Sequence, residues 1–164
     1  MAESIWNPCQ FFPDGFSETP NVHDNFVYAL AAHLEHRVLI LHTQYRDGAG
    51  PYDLIDLRFA GLVAYFFDDV AAPSILLDVQ RVDAEWVVEH WGNLFLARKN
   101  YGWLTIQFTD LADLSKQLTE QGVIGYLVMG SCGLDGFILS SSAEYRRRER
   151  TAEIDNPDTS LDLA

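Results

Sequence analysis

The sequence predicts an α+β domain, with a largely antiparallel sheet of about six to seven strands packed with two helices. Strand-like apolar segments fill the first half of the chain, two helix-like segments follow, and two further strand-like segments come near the end. Strands grouped before helices favour an antiparallel α+β domain, because a doubly wound parallel sheet needs regular strand–helix alternation. A length of 164 residues is typical of one domain.

The first 24 residues predict an irregular N-terminal arm. Proline and glycine interrupt any regular pattern in this stretch, at Pro8, Pro13, Gly15 and Pro20. Aromatic side chains lie between these breaks, at Trp6, Phe11, Phe12 and Phe16. They indicate that the arm packs on the domain.

Four strands are predicted next. Phe26–Leu34 and Val38–Tyr45 are expected to pair as a hairpin across the short polar link Glu35–Arg37. A long strand is predicted from Leu54 to Phe67, with a bulge or bend at Gly61. The fourth strand is predicted from Ile75 to Val82.

The period then changes to that of a helix. Asp83 is a candidate N-cap, since its carboxylate can accept free backbone N–H groups. One apolar stripe follows and predicts a helix that ends at Gly102; its residues are Trp86, Val87, His90, Trp91, Leu94 and Phe95. Helical spacing favours core packing for Trp86 and Trp91, with a ligand pocket as the alternative.

The rest of the chain predicts a short strand, a second helix and two last strands. The short strand is Trp103–Phe108, and the helix runs from Thr109 or Asp110 to Gly122. The last strands are Val123–Met129 and Phe137–Ser141, so residues 25–145 are interpreted as a single domain.

Residues 146–164 hold an arginine cluster (Arg146, Arg147, Arg148 and Arg150) and an acidic stretch interpreted as a mobile tail. The cluster is interpreted as a solvated end of the last element; the alternatives are an anion site or a partner for the tail.

The net charge is −13, from 11 basic and 24 acidic residues. Such a surface repels phosphate backbones, which argues against nucleic-acid binding, and it attracts a basic protein partner. The alternative, which the charge by itself favours, is that it serves solubility alone. Eight acids lie between residues 53 and 89 and are the candidate binding residues: Asp53, Asp56, Asp68, Asp69, Asp78, Asp83, Glu85 and Glu89.

Neither a membrane helix nor a secretory signal is expected. The longest uncharged run in the apolar middle is Phe59–Phe67, whereas a membrane helix needs ~20 residues. The first residues lack the basic and apolar regions of a secretory signal, so a cytoplasmic location is expected. Cys9 and Cys132 should then be reduced, and two cysteines are too few to suggest a zinc site.

One segment could carry catalysis, at Gly130-Ser131-Cys132-Gly133. A cysteine in a glycine-rich loop can act as a nucleophile if a histidine serves as its base, and His33 and His42 are candidates. The alternative, which the sequence favours, is a tight turn with a small buried cysteine. The histidines of this region lack the spacing of a helical zinc motif, and we predict no metal and no cofactor.

Several short motifs support a resemblance. Leu41–Arg46, Phe59–Tyr65, Tyr101–Trp103 and Gly133–Phe137 together resemble a group of small uncharacterised bacterial α+β proteins across about residues 26–140. In size, acidity and architecture the chain also resembles immunity proteins of bacterial toxin systems. The resemblance implies no catalytic residue.

Three functional hypotheses follow. The first is a non-catalytic domain whose acidic face occludes a basic toxin or enzyme, as an immunity-type inhibitor does. The second is a small-molecule-binding protein or enzyme with a pocket near Cys132 and the hairpin histidines. The third is a homodimer assembled through a sheet edge or an apolar patch.

Overall fold

The computed structural model describes residues 5–46 and 54–148 of the chain. Its architecture is α+β, which confirms the predicted class. The described residues contain three α-helices, a nine-stranded antiparallel sheet and a separate two-stranded sheet, more elements than the sequence predicted. The strands are β1 (Asn7–Pro8), β2 (Gln10–Phe11), β3 (Ser17–Thr19), β4 (Phe26–His33), β5 (Val38–Gln44), β6 (Leu54–Ala60), β7 (Ala64–Asp68), β8 (Ser74–Asp83), β9 (Ile124–Cys132), β10 (Asp135–Ser140) and β11 (Ser142–Arg148). The helices are α1 (Ala84–His90), α2 (Gly92–Arg98) and α3 (Leu111–Glu120), with a 3-10 turn at Lys99–Tyr101.

The large sheet has the strand order β1-β11-β6-β5-β4-β8-β9-β10-β7. Strands β4 and β5 pair in antiparallel register, as the hairpin prediction required. The predicted bend at Gly61 is confirmed, with a φ of +66°, but it divides the predicted strand Leu54–Phe67 into two strands, β6 and β7. Strand β6 pairs with β5 and β11, whereas β7 pairs with β10.

The pairings close into a ring. The β6–β7 segment runs antiparallel to the β10–β11 segment along both halves. On its other side β6 pairs with β5, and β10 pairs with β9. Strands β9, β8, β4 and β5 complete the circuit. The narrowest join is between β4 and β8, which pair at Phe26–Ile75 and Val27–Ser74.

This ring separates two apolar cores. The enclosed core lies inside the ring and includes Leu41, Phe59 and Ile138. The outer core lies between the sheet and the helices and includes Phe95 and Phe137. Successive side chains of a strand point to opposite faces, so neighbours such as Phe137 and Ile138 enter different cores. Each fully buried side chain of this kind stabilises the fold by about 1.5–3 kcal/mol.

The predicted first helix is divided into α1 and α2. The division falls at Trp91, whose φ of −103° and ψ of 24° leave the helical region. Gly92 then lies so close to α3 that a Cβ atom there would be 2.7 Å from Cδ1 of Leu111. Asp83 is the N-cap residue of α1, as predicted, but the expected bond from its carboxylate is absent, since its side chain makes no capping hydrogen bond. Within the part of the chain that the structure describes, no helix has the length and apolar character needed to cross a membrane.

The second helix agrees with its prediction at both ends. Asp110 is the N-cap, and its carboxylate accepts a hydrogen bond from the backbone N–H of Asp113. Gly122 ends the helix with a left-handed φ of +69°. The predicted strand Trp103–Phe108 is wrong, because this segment forms bends over the outer core, with the Trp103 ring stacked on Phe95.

The N-terminal arm packs on the sheet, as its aromatic residues indicated. Strand β1 pairs with β11, and the Phe11 ring lies 5.8 Å from that of Tyr126. Val22 is buried in the enclosed core. The described part of the arm therefore belongs to the fold.

Candidate functional site

A buried ion cluster lies on the outer face of the ring, centred on Asp56. Asp56 is directly opposite His42 on β5 and opposite Arg146 on β11. Its carboxylate accepts hydrogen bonds from Nε of Arg146 at 2.7 Å and from Nε of Arg148 at 2.8 Å, and it lies 2.7 Å from Nδ1 of His42. We call these four residues and Tyr28, whose hydroxyl accepts a bond from Arg148, the Asp56 cluster.

The environment of Asp56 has two opposing effects on its ionisation. Burial by itself would raise the pKa of Asp56, but hydrogen bonds from His42, Arg148 and Arg146 and the charge of Arg148 outweigh it and hold that pKa well below its usual range. Burial lowers the pKa of Arg148, yet the bond and charge of Asp56 raise it overall. The cluster thus favours the charged forms of the Asp56 carboxylate and the Arg148 guanidinium.

A second pair of charges flanks the cluster under the N-terminal arm. Nε of Arg58 donates to the Glu144 carboxylate at 2.7 Å. The Trp6 ring faces both Arg58 and Arg146, whose guanidinium carbons lie 4.4 and 4.6 Å from its centroid. These contacts fasten β1, β6 and β11 together, which is a structural role.

An open apolar groove lies next to the Asp56 cluster. It encloses about 560 Å³, and apolar side chains form most of its lining. The lining comes from three places: Val27, Tyr28, Ala29 and Leu30 of β4; Tyr65, Phe66 and Phe67 of β7; and the Val70–Ser74 segment with Leu134. Leu30 and Val70 are 39% and 67% exposed, so apolar surface faces solvent here. We call this feature the β4–β7 groove.

The groove is a gap in the wall of the ring. Consecutive side chains of a strand point to opposite faces. Tyr65–Phe67 of β7 line the groove consecutively, and so do Ala29 and Leu30 of β4, which lie beyond the irregular register between Val27 and Ala29; this indicates that the strand edges face the groove. This placement agrees with the pairing, since β4 leaves β8 after Val27 and β7 ends the sheet order.

Two of the predicted acids lie at the rim of this groove. Asp68 and Asp69 are exposed and stand in the chain between the lining residues Phe67 and Val70. The backbone oxygen of Asp69 accepts a hydrogen bond from the N–H of Leu134, another lining residue. Asp68 also faces Asp135 across the β7–β10 pairing, so negative charge is concentrated at this end.

The other predicted acids are dispersed. Asp83, Glu85 and Glu89 are exposed around α1, and Asp78 is half-buried on β8, where burial raises its pKa. Asp56 is 0% exposed and surrounded by its cationic partners, so it cannot belong to an exposed acidic face. Asp53 lies outside the described residues. The candidate binding acids therefore divide into separate groups, of which Asp68 and Asp69 adjoin an apolar surface.

The candidate catalytic residues are not brought together. His33 pairs with Val38 and His42 pairs with Ala29, which places the two histidines four residue pairs apart on the hairpin. Cys132 lies on β9, which β8 and β4 separate from the strand that carries His42. Cys132 is exposed at the start of a tight turn, where Gly133 and Leu134 both have positive φ. The expected tight turn is present, but the expected burial of this cysteine is wrong.

The structure also bears on the metal and aromatic candidates. In residues 5–46 and 54–148, no group of three or more His, Cys, Asp or Glu side chains could hold a metal ion. Trp91 packs on Phe137, with ring centroids 4.9 Å apart, as core packing predicts. The core packing predicted for Trp86 is wrong, because Trp86 is 41% exposed and stacks on His90 at the surface.

Sequence reasoning missed the partners of Asp56 and the lining of the groove. The alternate spacing of Arg146 and Arg148 was a usable signal, because residues two apart on a strand share one face. The interpretation of Arg146–Arg148 as a solvated end of the last element is wrong, because these residues belong to β11 and Arg146 and Arg148 bind the buried Asp56. The groove left no local signal, because its residues come from distant parts of the chain.

Comparison with known proteins finds no matching family model, no matching curated protein and no matching solved structure.

Proposed function

We propose that this chain is a non-catalytic protein-binding domain that occludes a basic partner, in the manner of an immunity-type inhibitor. The observation that carries the proposal is the β4–β7 groove, an exposed apolar surface with Asp68 and Asp69 at its rim. Protein interfaces combine a desolvated apolar centre with a polar rim, and this groove has both. Leu30 and Val70 supply apolar contact area, and the rim acids supply charge complementarity.

The overall charge of −13 would act before contact. A strongly acidic protein attracts a basic protein over a distance of roughly a Debye length, about 8–10 Å at physiological salt. The rim acids would act at contact, where they fix register. The partner is therefore expected to bind faster and more tightly at low salt.

The test reverses the charge of two acidic residues beside the groove and, as a control, of two acidic residues on α1. The variant Asp68→Lys/Asp69→Lys and the control Glu85→Lys/Glu89→Lys change the net charge equally, but only the first pair borders the groove. Each protein is used to capture partners from the native host lysate at low and high salt, and bound proteins are identified by mass spectrometry. We expect a basic protein to bind the wild type and the control at low salt, with capture by the groove variant reduced at least tenfold. Equal loss in both variants, or binding insensitive to salt, contradicts the proposal.

The volume of the groove favours one second candidate, an apolar small molecule. A volume of about 560 Å³ lies within the usual range for small-ligand sites, and most of the lining is apolar. A fluorescent apolar dye that binds the wild type and fails to bind Leu30→Glu would support this candidate. Charge reversal at Asp68 and Asp69 should leave the binding of an uncharged dye unchanged, which separates the two functions.

A further inference from the structure

We propose that the β4–β7 groove accepts an extended segment of the partner as an added β-strand, with a lysine or arginine placed against Asp68 and Asp69. This inference rests on the proposed function, because it specifies the part of the partner that binds. The ligand class is an extended peptide whose alternate side chains are apolar.

Most of one edge of β4 has no neighbouring strand. Its first two residues pair with β8, but in the described part of the chain Tyr28–His33 have no strand on that side. The segment that would continue β8 in this direction, Val70–Pro73, is a loop. The edge of β4 therefore presents backbone N–H and C=O groups without a strand partner.

Strand β7 presents a second free edge to the β4–β7 groove. Among the described strands β7 is last in the sheet order, with β10 as its partner. Residues Tyr65–Phe67 line the groove consecutively, as Val27–Leu30 do from the other side. Two strand edges thus face one gap, and unpaired edges are templates for another strand.

An extended chain can use both the free strand edges and the apolar lining of the groove. A strand added to an edge forms main-chain hydrogen bonds, while alternate side chains enter pockets beside it. Here Phe67 and Leu134 provide an apolar surface on which those side chains can pack. A helix satisfies its own backbone groups internally and would leave both edges unused.

The charge at the rim sets the position of the basic side chain of the ligand. Asp68 and Asp69 are exposed at one end of the groove, and Asp135 faces Asp68 from β10. At the neighbouring cluster, Arg146 and Arg148 are already bound to Asp56. A basic side chain of the ligand therefore belongs at the end near Asp68.

The experiment uses a phage-displayed library of random 12-residue peptides selected on the full chain. Counter-selection uses Leu30→Glu/Val70→Glu, two exposed positions at which substitution should leave folding intact, as circular dichroism would verify. Selected peptides are resynthesised with single backbone N-methyl groups, which remove one N–H donor at a time. Successive N–H groups of a strand point to opposite sides, and here both sides meet a strand edge. We therefore expect N-methylation at each central residue of the peptide to weaken binding at least tenfold. Binding should also slow amide hydrogen exchange of residues 28–33.

Two results overturn the inference. One is a selection that yields no peptide whose binding depends on the groove. The other is a set of groove-dependent peptides whose binding is not weakened by an N-methyl group at any position. The failure of the proposed function is distinct, since it is measured with the partner protein and the charge-reversed variants. A partner that depends on Asp68 and Asp69 but leaves the exchange of residues 28–33 unchanged would overturn the strand mode alone. Strand-like peptide binding without any salt-sensitive basic partner would overturn the proposed function alone.

Discussion

At Asp56, a carboxylate with no exposed surface faces two guanidinium groups and an imidazole. Taking these charges out of water costs free energy, and their mutual attraction offsets that cost only while the set is complete. The cluster is therefore more informative about specificity than about net stability. It requires β5, β6 and β11 to align in one register, because His42, Asp56 and Arg146 are direct cross-strand neighbours.

The first prediction is that Asp56→Asn lowers the free energy of unfolding by about 3 kcal/mol, because it removes the carboxylate that both Arg148 and Arg146 contact and leaves the largely buried Arg148 guanidinium without it. Urea denaturation at pH 7 measures this change. The control is Glu144→Gln, which breaks a more exposed pair with Arg58 and should cost less than about 1 kcal/mol. Equal losses in the two variants would show that burial of Asp56 has no special effect.

The second prediction concerns the two thiols. Burial, aided by the nearby Glu144 carboxylate, raises the pKa of Cys9 to about 12, whereas Cys132 is exposed. Because the thiolate is the reactive form, Ellman's reagent at pH 8 should modify one thiol in the native protein and two in denaturant. Cys132→Ser should abolish the native reaction and Cys9→Ser should preserve it. Two rapidly reacting thiols in the native wild type would contradict the burial of Cys9.

At the scale of elements, Gly61 divides a predicted strand into β6 and β7, which are the third and the last strands in the sheet order. Its φ of +66° turns the chain, and a Cβ atom at this position would collide with Oγ of Ser141. Ser141 is the corresponding break between β10 and β11, and its N–H donates to the backbone oxygen of Ala60. The two breaks therefore face each other and allow the long antiparallel pair to bend.

The third prediction is that Gly61→Ala costs about 2–4 kcal/mol of unfolding free energy, from the left-handed backbone and from the collision together. Gly102→Ala is a matched control, since its φ is +67° but no atom lies within 4 Å of the added Cβ. It should cost about 1–2 kcal/mol, the backbone cost alone. Adding Ser141→Gly to Gly61→Ala should recover part of the difference. No difference between the two alanine variants would refute the close contact.

At the scale of the whole molecule, the ionisation of Asp56 links stability to pH. In the folded protein the pKa of Asp56 is lowered, so at acid pH the unfolded chain binds a proton that the native protein does not. The stability contributed by Asp56 is fully present above the unfolded pKa of about 3.9 and is lost as pH falls below it. Asp78 acts in the opposite direction, because burial raises its pKa and favours the protonated form in the folded protein.

The fourth prediction follows from that sign. The difference in unfolding free energy between wild type and Asp56→Asn should be largest near neutral pH and should shrink as pH falls from about 4 toward 3. Because Asp78 is present in both proteins, its contribution cancels in the difference. Urea titrations at several pH values from 3 to 7 would measure it. A difference that stays constant over this range would show that the carboxylate is not stabilised in its charged form.

Local patterns were sufficient for several elements of the fold. The hairpin of β4 and β5 follows from two apolar runs joined by a short polar link, and α3 follows from Asp110 and Gly122 at its ends. These signals operate between residues close in sequence, where backbone sterics and capping bonds act without the rest of the chain. The α+β class followed from the order of such segments.

The candidate site depends on contacts between distant segments. Asp56 and Arg148 are 92 residues apart, and the groove combines β4, β7 and Leu134. Sequence alone established an acidic α+β chain with strands and helices in a given order, because hydrophobic periodicity is a local property. Tertiary structure was required to show that Asp56 is buried, that Asp68 and Asp69 border an apolar groove, and that two strand edges face each other. These properties arise from strand pairing across the ring, and pairing register is not encoded in any single segment.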